Sequence, residues 1–346
     1  MAAPRALAVP DGGFRAIAVL RLSSLGDVIL TLPVVRALAR AFPAARITYW
    51  TKEEYRDVVR FDPAIAHVRE LERDARRIED LVSMSAELED CDLVVDLHGS
   101  LRTRVLTFRQ KAPVLRAASY RLRRERWVRA RWSRPQPAPP ALERYAAAVA
   151  PLGLAVERVL RVEPGEEAER WAAREFAAWG PARPPVALCP GARHATKRWP
   201  EAHWMALHDR LGAAGRPVLV CSLAAERGAL AALAAQVAAD PAARWCVDPL
   251  PRMAALLSRA AAAVASDSGL MHLAAARGLN VVALFGSTVP ELGFAPVGAG
   301  HAVLCRHEPC QPCTLHGRPA CPKAHFRCMR ELAPDQVHEA LARIAG

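Results

Sequence analysis

The chain has 346 residues, of which 52% are hydrophobic and 24% charged. This composition excludes a disordered chain, and the length suits two domains at roughly 150 residues each. Lysine and arginine outnumber the acids 47 to 35, for a net charge of +12. No run reaches the roughly 18 apolar residues that a membrane-spanning helix needs. Residues 1–22 lack a basic stretch followed by a long apolar core and a small-residue cleavage site, so the expected location is the cytoplasm.

The first predicted element is a strand, Ala16 to Leu20, a short unbroken apolar run of the kind buried on both faces. The small-residue loop Ser23-Ser24-Leu25-Gly26-Asp27 leads into a helix over 28–42, with Pro33 in its early part, where a missing N–H matters least. Strands follow at 46–50 and 92–96, the latter running into Leu97-His98-Gly99-Ser100. Residues 131–141 are proline-rich and read as an irregular, exposed connection. A helix over 166–179 ends at Gly180-Pro-Ala-Arg-Pro-Pro185, the expected domain boundary.

A second alternation then begins. Strands are predicted at 185–189, 216–221, 262–266 and 281–285, with helices at 201–213, 225–239, 253–260 and 272–277. The pattern predicts an α/β fold of two Rossmann-like, doubly wound parallel-sheet domains, 1–180 and 181–332, facing a cleft. A closing helix in 333–346 is expected to pack back on the first domain. Ligands belong at the carboxyl ends of the strands.

Four strand-to-helix junctions carry candidate chemistry. In Arg21-Leu-Ser-Ser-Leu-Gly-Asp27, Gly26 permits close backbone approach and Asp27 is either a carboxylate base or a helix cap. In Cys189-Pro-Gly-Ala-Arg-His-Ala-Thr-Lys-Arg-Trp-Pro200, backbone amides and Lys197 suit a diphosphate; the bland alternative is a basic surface loop. In Ser266-Asp-Ser-Gly-Leu-Met-His272, Ser268 and Gly269 suit a phosphate, Asp267 a sugar hydroxyl, and His272 the same cleft. An ordinary capped junction with an interior histidine would read alike. Glu226, just beyond a strand, is either a ribose ligand or a first-turn acid complementing the helix dipole. No G-x-G-x-x-G follows the first strand, which argues against a dinucleotide oxidoreductase.

Twelve of the basic residues fall between Arg102 and Arg134, opposed only by Glu125. Such a concentration attracts nucleic acid, an anionic membrane face or a phosphorylated substrate, unless it is simply a solvated surface. Trp127 and Trp132 are its only tryptophans, too few for a base-stacking platform, so no nucleic-acid partner is expected.

Five of nine cysteines cluster: Cys305, Cys310, Cys313, Cys321 and Cys328. The spacing admits a structural tetrahedral zinc site or free thiols in a folded loop, whereas disulfides are disfavoured in a reducing cytoplasm.

Taken together, RLSSLGDVILTLPVVRAL, CPGARHATKRWP, SDSGLMHLAAARG and VVALFGST resemble the ADP-heptose:lipopolysaccharide heptosyltransferases over nearly the whole chain. The tail EPCQPC with CPKAHFRCM looks more like heptosyltransferase II than I. The resemblance implies an inverting glycosyltransferase of the GT-B architecture that needs no cofactor and no metal at the reacting centre. Its donor would be a nucleotide sugar and its acceptor an anionic lipopolysaccharide precursor at the cytoplasmic leaflet of the inner membrane. Carried over, Asp27 is the general base. Lys197, Glu226, Met253, Asp267, Ser268, Gly269 and His272 hold the donor, with Met253 against the adenine. The basic segment, represented by Arg102, Arg121, Arg123 and Arg124, would receive the acceptor. Heptosyltransferase I carries two hydroxyl residues in the middle loop; here Ala192-Arg193 align, and Thr196 is the only hydroxyl.

Overall fold

The computed structural model describes residues 6–71, 78–130 and 138–345. The chain forms two compact units, Met1–Ser119 with Ala141–Glu163, and Tyr120–Pro140 with Pro164–Gly346.

The first unit is built on a parallel sheet of β1 (Ala16–Leu20), β2 (Arg46–Lys52), β3 (His67–Leu71), β4 (Leu93–Asp96) and β5 (Val114–Arg116). Their order is β3-β2-β1-β4-β5. The chain winds outward from β1, then returns to its other side, so the crevice for a ligand lies at the carboxyl ends of β1 and β4. Ala18, Leu20, Trp50 and Val94 form its core with Leu81, Leu88 and Leu106. The helix after β1 begins at Leu25, three residues before the predicted start, so Pro33 sits well inside it. An almost continuous buried face from Val28 to Leu38 sustains the helix across that proline.

The second unit carries a parallel sheet of β6 (Val186–Cys189), β7 (Val218–Cys221), β8 (Ala243–Cys246), β9 (Ala262–Ser266), β10 (Asn280–Phe285) and β11 (Ala302–Cys305). The order β11-β10-β9-β6-β7-β8 puts its switch point between β6 and β9. Cys189, Cys221 and Cys246 end three neighbouring strands and are buried, acting as small core residues. The helix predicted over 225–239 is two helices, Ala224–Arg227 and Ala231–Ala239, with a tighter turn at Gly228–Leu230 between them.

Three parts of the predicted organisation are corrected. The helix Glu166–Trp179 packs on the helix Leu250–Leu257, and Glu169 binds Arg277 at 2.6 Å, so it belongs to the second unit rather than ending the first. The terminal helix Pro334–Ile344 does not return to the first unit. It packs on the helix Glu201–Ala213 and on β10, burying Val337, Ala340 and Leu341 in the second core. The basic helix Arg121–Ala130 also joins the second unit, where Trp127 and Val128 pack on Val289, Leu292 and Leu315. Arg131 and Arg134, and most of the proline-rich stretch, lie outside the described residues. Among the described residues, no helix is long and apolar enough to cross a membrane.

Candidate active site

At the first switch point, the turn after β1 places Asp27 in the first turn of the helix Leu25–Ala41. Its carboxylate makes an ion pair with Arg21 at 2.8 Å and accepts from the Tyr145 hydroxyl at 2.6 Å and the Ser24 hydroxyl at 3.0 Å. The Ser24 backbone N–H adds a longer contact of 3.4 Å, so Asp27 also serves as a helix cap. Burial alone would raise its pKa. The Arg21 charge, with the Tyr145 and Ser24 hydrogen bonds, outweighs burial and holds the carboxyl well below the usual carboxylate range. Asp27 is therefore ionised at neutral pH, with its side chain still 15% exposed.

Arg21 is itself anchored. It donates to the Leu97 carbonyl at 2.7 Å and lies over the Tyr145 ring at 5.1 Å. The loop after β4 is pinned by the fully buried Asp96, which accepts from the N–H groups of His98 and Gly99 and pairs with Arg116. His98 stands on that loop, its pKa pushed down to about 4 by burial and by the Arg21 charge. It is neutral near pH 7, and its buried Nδ1 has no protein partner.

At the second switch point, Lys197 and Asp267 form an ion pair of 2.8 Å, and Asp267 accepts from the Thr288 hydroxyl at 2.6 Å. The helix Gly269–Ala276 begins there with Ser268 as its cap residue, but the Ser268 hydroxyl is buried and makes no hydrogen bond. Helix N-terminal N–H groups beside an unengaged hydroxyl suit an anionic oxygen. Gly191, two residues beyond β6, lies against Glu226: an added Cβ would collide with the Glu226 carboxylate. Glu226 also caps its short helix through the Leu223 N–H at 3.0 Å, and burial raises its pKa.

The middle loop is braced by the tail. Thr196 exchanges hydrogen bonds with the Arg318 backbone and bonds the Ser287 hydroxyl at 2.8 Å. Its hydroxyl is consumed in holding the loop, and Trp199 ties the same loop to the Leu332 carbonyl at 2.9 Å. Of the other expected donor residues, His272 is buried on the helix Gly269–Ala276, and Met253 has no exposed side-chain surface.

The four acceptor arginines are divided between the two units. Arg102 is exposed on the helix Leu101–Leu106 of the first unit, whereas Arg121, Arg123 and Arg124 belong to the second. Arg121 pairs with Glu125, and Arg124 is buried, its guanidinium 5.9 Å from the Phe294 ring centre. In the cysteine tail, none of the five cysteines forms a disulfide among the described residues. Cys310 lies 3.7 Å from His325 Nε2, and the Cys328 thiol is pushed up to about 12 by burial. Among the described residues, no three histidine, cysteine or acidic side chains converge with a geometry suited to a metal ion.

Arg21, His98, Tyr145 and Thr288 were not singled out as site residues from the sequence. Arg21 directly follows β1, and its position in the first motif was the available signal. Tyr145 lies 118 residues from Asp27, and nothing local announces that contact.

Comparison with known proteins points to one family. Residues 82–322 match the model of glycosyltransferase family 9 (heptosyltransferase). The chain is 32% identical to lipopolysaccharide heptosyltransferase 1 of Pseudomonas aeruginosa, over 86% of this chain and 85% of that protein. It is 34% identical to lipopolysaccharide heptosyltransferase 2 of Escherichia coli, over 33% of this chain and 34% of that one. The fold matches the family 9 glycosyl transferase of Veillonella parvula with a TM-score of 0.80 at 23% identity, covering 99% of both chains. It matches the E. coli ADP-heptose LPS heptosyltransferase II with a TM-score of 0.72 at 20% identity, over 95% of this chain and 98% of that one. The whole-length relative is thus of type 1, whereas the cysteine tail pointed to type II.

Proposed function

The chain belongs to glycosyltransferase family 9, the heptosyltransferases, and we propose that it moves a heptose from ADP-L-glycero-D-manno-heptose to the inner core of a lipopolysaccharide precursor. Asp27 is the group that supports this best: a carboxylate kept ionised, partly exposed, at the carboxyl edge of a doubly wound sheet. It takes the proton of the acceptor hydroxyl as that oxygen attacks the anomeric carbon. The bond from that carbon to the β-phosphate oxygen breaks, ADP leaves with the electron pair, and the configuration inverts. A positioned base of this kind contributes about 10²–10⁴-fold.

The second unit supplies the donor side. Lys197, the Gly269 N–H and the Ser268 hydroxyl meet the charge that develops on the departing diphosphate. Glu226 receives the ribose hydroxyls, and Met253 borders the adenine through its backbone, its side chain being enclosed. Asp267 and His272 orient the heptose. Arg102, Arg121, Arg123 and Arg124 serve the anionic acceptor, Arg124 after release from Phe294. The protein works in the cytoplasm, peripheral to the inner membrane.

The test is ADP release from ADP-heptose, with and without Kdo₂-lipid A or a mono-heptosylated acceptor. Acceptor-dependent release is expected, and the acceptor that works identifies the position served. Donor binding without release would assign a different acceptor. Failure to bind ADP-heptose would overturn the proposal.

A further inference from the structure

The apolar side chains on and beside the helix Leu101–Leu106 take no part in the contacts of either switch point. Leu101 and Val105 stand one turn apart on that helix, and Phe108 follows in the turn just beyond its end. Leu101 is 78% and Phe108 81% exposed, far more than large apolar side chains in a core. Val82 of the neighbouring helix Ile78–Ser85 joins Arg104, Val105 and Phe108 around a hollow of about 380 Å³.

Cations frame this apolar face. From Leu97 to Ser119 there is no acidic residue, and Arg102, Arg104, Arg109 and Lys111 are exposed. None of the four has an ion pair among the described residues, although most other arginines of this unit do. The nearby acids lie on the adjoining segment, Glu79 and Asp80 on its helix and Glu87 beyond it, the last bound to Arg69 at 2.6 Å.

We propose that this face is a docking site for the surface of an anionic phospholipid bilayer. Leu101 and Phe108 enter the boundary between headgroups and acyl chains, and the unpaired cations meet lipid phosphates. Arg104 is suited to both roles, its stem lining the hollow and its head free to reach the interface. A single apolar anchor binds a membrane weakly, whereas an apolar insertion combined with a cationic patch binds usefully. This deepens the proposed function, since it would bring the first unit to a membrane-held acceptor.

The experiment is cosedimentation of the full chain with vesicles of phosphatidylethanolamine and phosphatidylglycerol, against vesicles of phosphatidylcholine alone. The wild type is expected on the anionic vesicles only, and to be released by salt. The double substitution Leu101→Ser/Phe108→Ser should weaken that partition about tenfold or more. Its unfolding midpoint and its turnover on an acyl-free core oligosaccharide should remain those of the wild type. The triple substitution Arg104→Glu/Arg109→Glu/Lys111→Glu should abolish the preference for anionic lipid. Equal partition of wild type and double variant would overturn the proposal, as would equal binding to phosphatidylcholine. A double variant that loses turnover on the acyl-free acceptor would also overturn it, marking the face as part of the acceptor site. Patch-dependent vesicle binding by a chain that turns over no heptose acceptor would sustain the docking site while defeating the proposed reaction.

Discussion

The two switch points use the same pair of charges in opposite roles. Each joins a carboxylate to a cation at 2.8 Å, and each adds a hydroxyl that donates to the carboxylate, Tyr145 in the first unit and Thr288 in the second. They differ in which partner is anchored elsewhere. In the first unit the cation is tied down, because Arg21 also bonds the Leu97 carbonyl, and Asp27 keeps the greater exposure. In the second the carboxylate is the more enclosed partner: Asp267 is 6% exposed at its side chain and Lys197 16%. An ion pair in a binding crevice thus has a working member and a holding member. On the proposed reaction the working member is Asp27 in the first unit, which would take a proton, and Lys197 in the second, which would meet a phosphate.

The sharpest way to break this comparison is to neutralise the working member of the first pair. Asp27→Asn should lower kcat by about 10²–10⁴-fold while leaving the dissociation constant for ADP-heptose unchanged, as read by calorimetry beside an ADP-release assay. A near-normal kcat would move the base elsewhere.

Lys197→Ala should reduce kcat/KM by about 10²-fold. It also leaves Asp267 as a buried carboxylate without its cation, at a cost of about 3 kcal/mol in a denaturant titration. Adding Asp267→Asn to that variant should restore the stability and not the activity. Recovery of both together would mean that Lys197 is the holding member.

Tyr145→Phe should have a smaller effect, best seen in the pH–rate profile. In the native protein the lowered pKa keeps Asp27 ionised across the neutral range, so its protonation sets no acid limb there. Removing the Tyr145 donor raises that pKa, and the acid limb moves upward. The linked stability has the sign of a depressed carboxyl: it is present above the ordinary pKa near about 4 and is lost as the pH falls through the folded value. An unmoved acid limb would show that Tyr145 does not tune the base.

The mildest change is Gly191→Ala. The new methyl meets the far end of the flexible Glu226 side chain, which must shift and loosen its bond to the Leu223 N–H. Donor KM should rise severalfold with kcat nearly constant. Unchanged KM would detach Glu226 from the donor.

The seven strands predicted from the sequence, β1, β2, β4, β6, β7, β9 and β10, are the interior strands of the two sheets. The four that were missed among the described residues, β3, β5, β8 and β11, are the four edges. An interior strand such as Val186–Cys189 is buried on both faces and reads as an unbroken apolar run. An edge such as His67–Leu71 is half-covered and mixes His67, Arg69 and Glu70 into its pattern, so no period identifies it. The site divides in the same way. Asp27, Lys197 and Asp267 follow interior strands and were legible for that reason. Tyr145 and Thr288 come from distant segments, and only the folded chain brings them to the carboxylates they hold. The basic helix was legible as charge but misplaced, because the contacts of Trp127 and Val128 that dock it are tertiary.

The brace between Thr196 and Arg318 has a consequence in time. The loop bearing Lys197 is synthesised near mid-chain, yet its partner in the tail follows 122 residues later, and the Leu332 carbonyl that holds Trp199 follows 133 residues after it. A nascent chain still on the ribosome therefore carries an unbraced loop, and a chain cut short before Arg318 lacks the hydrogen bonds that hold Thr196 beside Lys197.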